Sequence, residues 1–204
     1  MPRALPVLTM APSPLELTFV TSATRVADLP ESPAEVAFAG RSNVGKSSLI
    51  NALANRKRLA HVSKSPGRTQ LLNLFVLPSG ATVMDLPGYG YAAVPGRVRS
   101  GWQQMIEGYL LEREPLAMLM VLVDGEIGPT KLDLQMLDWL RANEIPHTVV
   151  ATKLDKIRPS KSPGRRRELA NACMLDPGDV VWVSAAKNTG VVELRALVLA
   201  HLTG

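Results

Sequence analysis

Short apolar runs alternate along the chain with segments whose apolar residues recur every three or four positions. Runs with the β-branched character of strands lie at residues 17–20, 36–39, 71–77, 82–85, 117–123, 148–151 and 180–183. Segments with helical periodicity lie at residues 46–54, 98–112, 132–143, 163–174 and 191–202. This alternation predicts a three-layer α/β fold in which helices cover both faces of a mostly parallel, six-stranded sheet. The run 71–77, joined to 81–85 by Pro78-Ser79-Gly80, is expected to form the one antiparallel edge strand.

Length and composition favour a single domain. With 204 residues, of which 46% are hydrophobic, the chain can bury one core. The prolines within residues 1–14 predict a flexible tail there, followed by the domain at 15–204. Because Cys173 is the one cysteine, no internal disulfide can form, and the reducing cytoplasm is the expected compartment. The N-terminal residues 1–6 lack a charged region followed by an unbroken apolar stretch, so we expect no secretion, and no run of about 18 apolar residues predicts a membrane span.

One segment between a predicted strand and a predicted helix has the spacing of a phosphate-binding loop. It reads Gly40-Arg41-Ser42-Asn43-Val44-Gly45-Lys46-Ser47-Ser48. The backbone N–H groups of such a loop surround phosphate groups, and the following helix adds the positive end of its dipole. Lys46 is expected to bridge the β- and γ-phosphates, while the Ser47 hydroxyl binds Mg²⁺. The segment therefore predicts binding of a nucleoside triphosphate together with Mg²⁺.

A second group of candidates is expected to face the γ-phosphate. In Asp85-Leu86-Pro87-Gly88, Asp85 would meet Mg²⁺ through water and the Gly88 N–H would touch the γ-phosphate. In Gly67-Arg68-Thr69, the Thr69 hydroxyl is a candidate for a further ligand of the metal, although a lone Thr in a loop is usually solvated. Arg68 is a candidate for supplying positive charge during hydrolysis, and the alternatives are that it is solvated or binds RNA.

Two later strands end in residues suited to guanine. In Thr152-Lys153-Leu154-Asp155, the Asp155 carboxylate can accept hydrogen bonds from the N1–H and the exocyclic amine of guanine, an edge that adenine lacks. Lys153 is expected to lie along the base plane, and Ser184-Ala185-Ala186 to meet the O6 edge. Because an unpaired buried polar group costs about 1–3 kcal/mol, Asp155 predicts GTP rather than ATP as the ligand. A kinase of the same fold would need an acceptor-binding lid, and the chain has no insertion of suitable length.

Together with the string Asp85-Leu86-Pro87-Gly88-Tyr89-Gly90-Tyr91-Ala92, these motifs resemble the EngB family of bacterial GTPases. The resemblance runs from about residue 17 to the C-terminus, and it departs from the family at Leu154, where Ala is frequent. It implies a protein that cycles between GTP and GDP, acts in assembly of the large ribosomal subunit and is needed for normal division and septation. The alternative is a GTP-dependent protein scaffold in division that does not bind the ribosome.

The hydrolysis step is assigned to Lys46, Asn43, Thr69 and Gly88. Many signalling GTPases place a Gln after Asp-x-x-Gly to orient the attacking water, whereas this chain has Tyr89, so slow turnover is expected. In the wider class to which the resemblance points, an Asn at the position of Asn43 helps to hold a potassium ion against the phosphates. The alternative is that Asn43 suits the turn, because Asn tolerates left-handed backbone geometry.

Positive charge suggests a nucleic-acid partner. The formal net charge is +5, and basic residues gather at 56–58, 64–68, 97–99 and 156–167. Such clusters attract a phosphate backbone, but Lys and Arg are also ordinary surface residues, so charge alone leaves RNA binding open. The resemblance points to ribosomal RNA of the large subunit. We expect neither DNA nor a membrane as a partner, and we expect the protein to be a monomer.

Overall fold

The computed structural model of the protein describes residues 13–60, 71–89 and 96–203, and for residues 96–103 it describes the backbone only. The strands of its sheet are β1 (Thr18–Ala23), β2 (Glu35–Gly40), β3 (Leu72–Val76), β4 (Thr82–Asp85), β5 (Leu116–Asp124), β6 (His147–Thr152) and β7 (Val180–Trp182). The helices are α1 (Lys46–Leu53), α2 (Gly96–Glu112), α3 (Lys131–Ala142), α4 (Ser162–Ala172) and α5 (Val191–Leu202). The strands lie side by side in the order β1-β3-β4-β2-β5-β6-β7.

The predicted α/β class is confirmed, and two details of the sheet differ from the prediction. The sheet has seven strands and not six, because every one of the apolar runs joins it. The antiparallel strand β3 is not at the edge, since β1 pairs with its outer side from Thr18, opposite Val76, to Ala23, opposite Leu72. That pairing satisfies the backbone N–H and C=O groups that an edge strand would leave open. All other neighbours, from β4 through β2, β5 and β6 to β7, run parallel.

Helices cover both faces of the sheet, as predicted. Successive residues of the central strand β2 point to opposite layers, as the two-residue period of a strand requires. Ala37 and Ala39 pack in the core beneath α2, α3 and α4. Val36 and Phe38 pack in the second core, beneath α1 and α5. Among the described helices, none has the length and apolar character that a membrane crossing needs.

A buried charge network fastens the amino end of β2. The Glu35 side chain is fully buried and accepts hydrogen bonds from Tyr109 Oη (2.5 Å), Thr82 Oγ1 (2.6 Å) and Arg113 Nε and Nη2 (3.0 and 3.1 Å). Burial and the neighbouring Glu35 raise the pKa of Tyr109 well above its ordinary value. A buried carboxylate is tolerated when it is paired and hydrogen-bonded in this way. The network joins the end of α2 to the sheet at the edge opposite the carboxyl ends of the parallel strands.

The end of α1 is also held by side chains. The carbonyl oxygens of Leu53 and Ala52 accept hydrogen bonds from Arg195 Nε (2.8 Å) and Nη2 (2.6 Å) of α5. Each of these carbonyls at the helix end also accepts a main-chain bond, Ala52 from the Asn55 N–H (3.1 Å) and Leu53 from the Leu15 N–H (3.0 Å). The Asn51 side chain bonds both the N–H (2.8 Å) and the carbonyl (3.0 Å) of Ala60, which fixes the chain after the helix. These contacts hold in place the helix that carries the phosphate-binding loop at its other end.

Candidate nucleotide-binding site

The predicted motifs meet at one rim of the sheet. Gly40 ends β2, Asp85 ends β4, Asp124 ends β5 and Thr152 ends β6, while Ser184 lies two residues beyond the end of β7. The carboxyl ends of neighbouring parallel strands share one edge, which is where ligands bind in folds of this kind. The structure therefore brings together the described parts of the phosphate, metal and base motifs.

Backbone geometry explains the glycines of the phosphate-binding loop. Gly45 has φ 102°, a left-handed conformation that favours glycine. A Cβ on Gly40 would lie 2.9 Å from Val44 Cγ1 and 3.0 Å from Leu122 Cβ, so no side chain fits there without movement. Asn43 has φ 66°, a geometry that Asn tolerates, so the turn alone accounts for this residue type. The main-chain N–H groups of Lys46 and Ser47 have no acceptor in the described part of the chain, as the first turn of a helix requires.

Lys46 and Asp85 form a direct ion pair within the site. Both side chains are buried, with 8% and 4% of their surfaces exposed. The carboxylate of Asp85 therefore lies beside the ammonium group that is expected to bridge the phosphates. The hydroxyl of half-buried Ser47 follows Lys46 directly at the start of α1. Hydroxyl and carboxylate oxygens are the donors that Mg²⁺ prefers, so this pair of residues fits the metal.

Tyr89 joins the phosphate-binding loop to α3. Its main-chain carbonyl accepts a hydrogen bond from the Ser42 N–H (3.0 Å), and its own N–H donates to the Gly40 carbonyl (3.2 Å). Its hydroxyl donates to Asp133 Oδ1 (2.9 Å), and burial, followed by the charge of Asp133, raises the pKa of Tyr89 well above its ordinary value. Asp133 Oδ2 also accepts bonds from the N–H and hydroxyl of Thr130, the residue that caps the start of α3. Sequence reasoning missed Asp133, whose spacing from Thr130 indicates only a helix cap.

Hydrogen bonds and an ion pair within the protein hold the residues of the guanine motif in place. Asp155 accepts a hydrogen bond from Ser184 Oγ (2.6 Å), and this bond is the main reason why the pKa of Asp155 lies below its ordinary value. Lys153 has φ 56°, and its Nζ lies 2.6 Å from Asp124 Oδ2. Thr152 Oγ1 donates to the Val44 carbonyl (2.7 Å), which joins the motif to the phosphate-binding loop. Sequence reasoning missed Asp124, although its place at the end of a predicted strand was a usable signal.

Some of the remaining predicted site residues lie within the described part of the chain and others do not. Ala185 is half-buried and Ala186 exposed, directly after Ser184. Gly88 lies against the phosphate-binding loop, since a Cβ added to it would be 3.2 Å from the Ser42 nitrogen. Gly67, Arg68 and Thr69 lie outside the described residues, as do Gly90 and Tyr91.

Comparison with known proteins gives the family of the chain. Residues 35–153, more than half of the chain, match the family described as 50S ribosome-binding GTPase. The probable GTP-binding protein EngB of Pelotomaculum thermopropionicum is 47% identical over 184 residues, covering 88% of this chain and 92% of that protein. The protein of the same description from Azoarcus sp. is 49% identical over 178 residues, covering 85% and 84%. The chain belongs to the EngB family of GTPases.

Solved structures agree with the EngB fold. A crystal structure of a probable GTP-binding protein engB covers 83% of this chain and 98% of its own, with a TM-score of 0.68 at 24% identity. Era in complex with MgGDPNP and nucleotides 1506–1542 of 16S ribosomal RNA covers 84% of this chain and 57% of its own, with a TM-score of 0.62 at 25% identity. The family match and the EngB relatives confirm the predicted family, GTP binding and GTPase activity.

Proposed function

We propose that this EngB GTPase is an assembly factor of the large ribosomal subunit. In its GTP state it docks on an immature subunit in the cytoplasm as a monomer, and hydrolysis of GTP to GDP and phosphate releases it. Impaired division and septation follow from its loss. The match to a family described as 50S ribosome-binding GTPase carries this proposal. The net charge of +5 and the rRNA-bound structural neighbour Era, at 25% identity, also support an RNA-rich partner.

The proposed roles of the site residues correspond to their positions along the edge where the parallel strands end. The backbone of residues 40–48 surrounds the phosphates, with Lys46 between the β- and γ-phosphates and the Gly88 N–H on the γ-phosphate. Asp155 accepts hydrogen bonds from guanine, while Lys153 covers the base plane. The further proposed contacts to the nucleotide are those of Gly67, Arg68, Leu86, Pro87, Thr152, Ser184, Ala185 and Ala186.

Magnesium is proposed to bind at Ser47, Thr69 and Asp85, the last through water. Within the residues described by the structure, no group of three or more His, Cys, Asp or Glu side chains could hold a metal ion, so phosphate and water oxygens would complete the ligand set. When bound, Mg²⁺ neutralises charge on the β- and γ-phosphates. On this view, Lys46 exchanges its contact with Asp85 for the phosphates, which leaves the carboxylate available to the hydrated metal.

Slow hydrolysis is proposed because the residue after Gly88 does not present a polar group to the attacking water. The Tyr89 hydroxyl is engaged by Asp133 of α3. Asn43 would then help a potassium ion to supply positive charge, with Arg68 as the other candidate. Equal hydrolysis rates in KCl and NaCl for the unmodified protein would contradict the potassium role, and Asn43→Ala should remove any difference between the two salts.

Co-sedimentation with purified ribosomal subunits tests the proposed function. The protein is mixed with large or small subunits in the presence of a non-hydrolysable GTP analogue or GDP, at low and high salt. We expect it to pellet with the large subunit, and more strongly with the GTP analogue than with GDP. Absence of binding in every nucleotide state, with normal large-subunit levels after depletion, would contradict the proposal and favour a division scaffold.

A further inference from the structure

A basic pocket lies beside the guanine motif. It has a volume of about 370 Å³ and is lined by Glu126, Lys156, Ile157, Arg158, Lys161 and Arg165. Four of these six residues carry positive charge and one carries negative charge, so the pocket favours an anion. Lys156 directly follows Asp155, and its charge contributes to the lowered pKa of that carboxyl. The pocket is therefore next to the nucleotide site but is lined by different side chains.

The wall of the pocket is held in place by hydrogen bonds. Arg165 Nη2 donates to the Glu126 carbonyl (2.7 Å), which joins the start of α4 to the loop after β5. Asp124 Oδ1 accepts a bond from the Glu126 N–H (3.0 Å) in the same loop. Asp124 Oδ2 in turn pairs with Lys153 of the guanine motif (2.6 Å). The pocket is thus a fixed concave feature and not only a row of surface charges.

Much of the positive charge in the pocket is not neutralised within the protein. The side chains of Lys156, Arg158 and Lys161 are exposed and make no hydrogen bond or ion pair within residues 13–60, 71–89 and 96–203. Arg165 lies 3.4 Å from Glu168, which is itself 70% exposed, so this contact is weak in water. On α4, Arg167 adds a further exposed positive charge, whereas the half-buried Arg166 guanidinium lies over the Trp182 ring, 5.2 Å from its centroid. An open pocket that leads into a basic helix suits an extended polyanion better than a small ion.

We infer that this basic pocket binds a backbone phosphate of RNA, with α4 contacting the adjoining phosphates. The inference rests on the proposed ribosomal function, since it names the surface through which the protein meets RNA. Binding releases counterions from the RNA, so affinity falls as salt rises, and each lost phosphate contact lowers the slope of log affinity against log salt by somewhat less than one. Recognition is by charge and shape because the lining side chains include no aromatic ring to stack on a base.

A pair of matched variants tests the pocket. Arg158→Gln/Lys161→Gln removes two exposed cations from the pocket, and Lys57→Gln/Arg58→Gln removes the same two charges from an exposed segment after α1. Binding of the full chain to a fluorescent RNA hairpin of about 16 base pairs is measured by anisotropy across a salt series. We expect the pocket variant to bind about tenfold more weakly, with its salt slope reduced by about 1.5. The control variant should change the affinity by less than about threefold, because its charges lie elsewhere.

Several outcomes would overturn the inference. An equal loss in both variants would show that net charge alone attracts RNA, and an unchanged pocket variant would show that the pocket is not used. Inorganic pyrophosphate is the small-anion probe; if it occupied the pocket of the unmodified protein as tightly as the hairpin, the ligand would be a small anion and not RNA. GTP affinity and the unfolding midpoint should match the unmodified protein in both variants. If the double variant does not fold, Lys161→Gln alone repeats the comparison.

The same variants separate this inference from the proposed function. If the unmodified protein pellets with large subunits and the pocket variant does so equally well, the pocket inference fails while the proposed function stands. If the unmodified protein pellets with no subunit, the proposed function fails, and the hairpin measurement still decides whether the pocket binds RNA.

Discussion

The main-chain N–H of Ser42 donates a hydrogen bond to the carbonyl oxygen of Tyr89 over 3.0 Å, so the phosphate-binding loop and the segment after β4 contact each other directly. A loop amide that is expected to face phosphate is thereby bonded to the protein itself. If the loop binds phosphate as proposed, a nucleotide competes with this bond and with the ion pair between Lys46 and Asp85. The contact links the phosphate-binding loop to the residue that follows Gly88.

Replacing Gly88 by Ala should weaken the binding of GTP more than the binding of GDP. The added Cβ would lie 3.2 Å from the Ser42 nitrogen and 3.3 Å from its Cα, and backbone atoms cannot yield as a flexible side chain can. Since the Gly88 N–H is proposed to contact the γ-phosphate, we expect affinity for a GTP analogue to fall about tenfold, with GDP affinity changed by less than about threefold. Fluorescent-nucleotide titration measures both constants.

Gly108→Ala is the matched control for that variant. Gly108 lies within α2, and the nearest atom to its added Cβ would be Glu112 Oε1 at 3.8 Å, an ordinary contact. Nucleotide affinities should stay unchanged, while the free energy of unfolding rises by up to about 1 kcal/mol from improved helix propensity. A similar loss of GTP affinity in both variants would show that the contact with Ser42 is not the cause.

Replacing Tyr89 by Phe tests the anchor on α3. The variant loses the hydroxyl bond to buried Asp133, so we expect the free energy of unfolding to fall by about 1.5 kcal/mol. Urea denaturation measures this change. GTP affinity should remain within about threefold, because the proposed nucleotide contacts do not use the hydroxyl. A large loss of affinity with unchanged stability would instead place the Tyr89 hydroxyl in contact with the nucleotide.

The buried pair of Glu35 and Arg113 should matter for stability and not for nucleotide selection. Arg113→Ala leaves a fully buried carboxylate without its cation, so unfolding should become easier by about 3–5 kcal/mol. Tyr109→Phe removes one hydrogen bond to the same carboxylate and should cost about 1.5–3 kcal/mol. Urea denaturation gives both values. Stability equal to that of the unmodified protein in both variants would contradict the network's role.

The hydrogen bond from Ser184 to Asp155 predicts a pH effect. It holds the pKa of Asp155 below its ordinary value of about 3.9, so the carboxylate remains charged until the pH falls through that lowered pKa. Binding of guanine that depends on this charge is therefore present at higher pH and lost on acidification. In Ser184→Ala the pKa should rise toward the ordinary value, and the loss should begin at a higher pH. NMR titration of the Asp155 carboxyl carbon checks the shift, and an unchanged pKa would contradict it.

Local patterns were enough to predict the helices and strands, because the helices have apolar residues every three or four positions and the buried strands are short apolar runs. They also placed the described motif residues at one rim, since parallel strands share their carboxyl edge. They did not predict that β1 covers β3, because pairing between segments far apart in sequence leaves no local signal. For the same reason the partners of distant charges were missed, among them Asp124 for Lys153 and Asp133 for Tyr89. The potassium role of Asn43 and the role of Thr69 stay predictions.

Calorimetric titration with guanosine and xanthosine triphosphates, in the presence of Mg²⁺, tests most directly the claim that Asp155 selects the base. The unmodified protein should bind GTP much more tightly than XTP. Asp155→Asn should lose GTP affinity by about tenfold or more and gain affinity for XTP, because the amide offers a donor where the carboxylate offered an acceptor. Unchanged GTP affinity in the variant, or no heat of binding for guanine nucleotides in the unmodified protein, would contradict the assignment of the site.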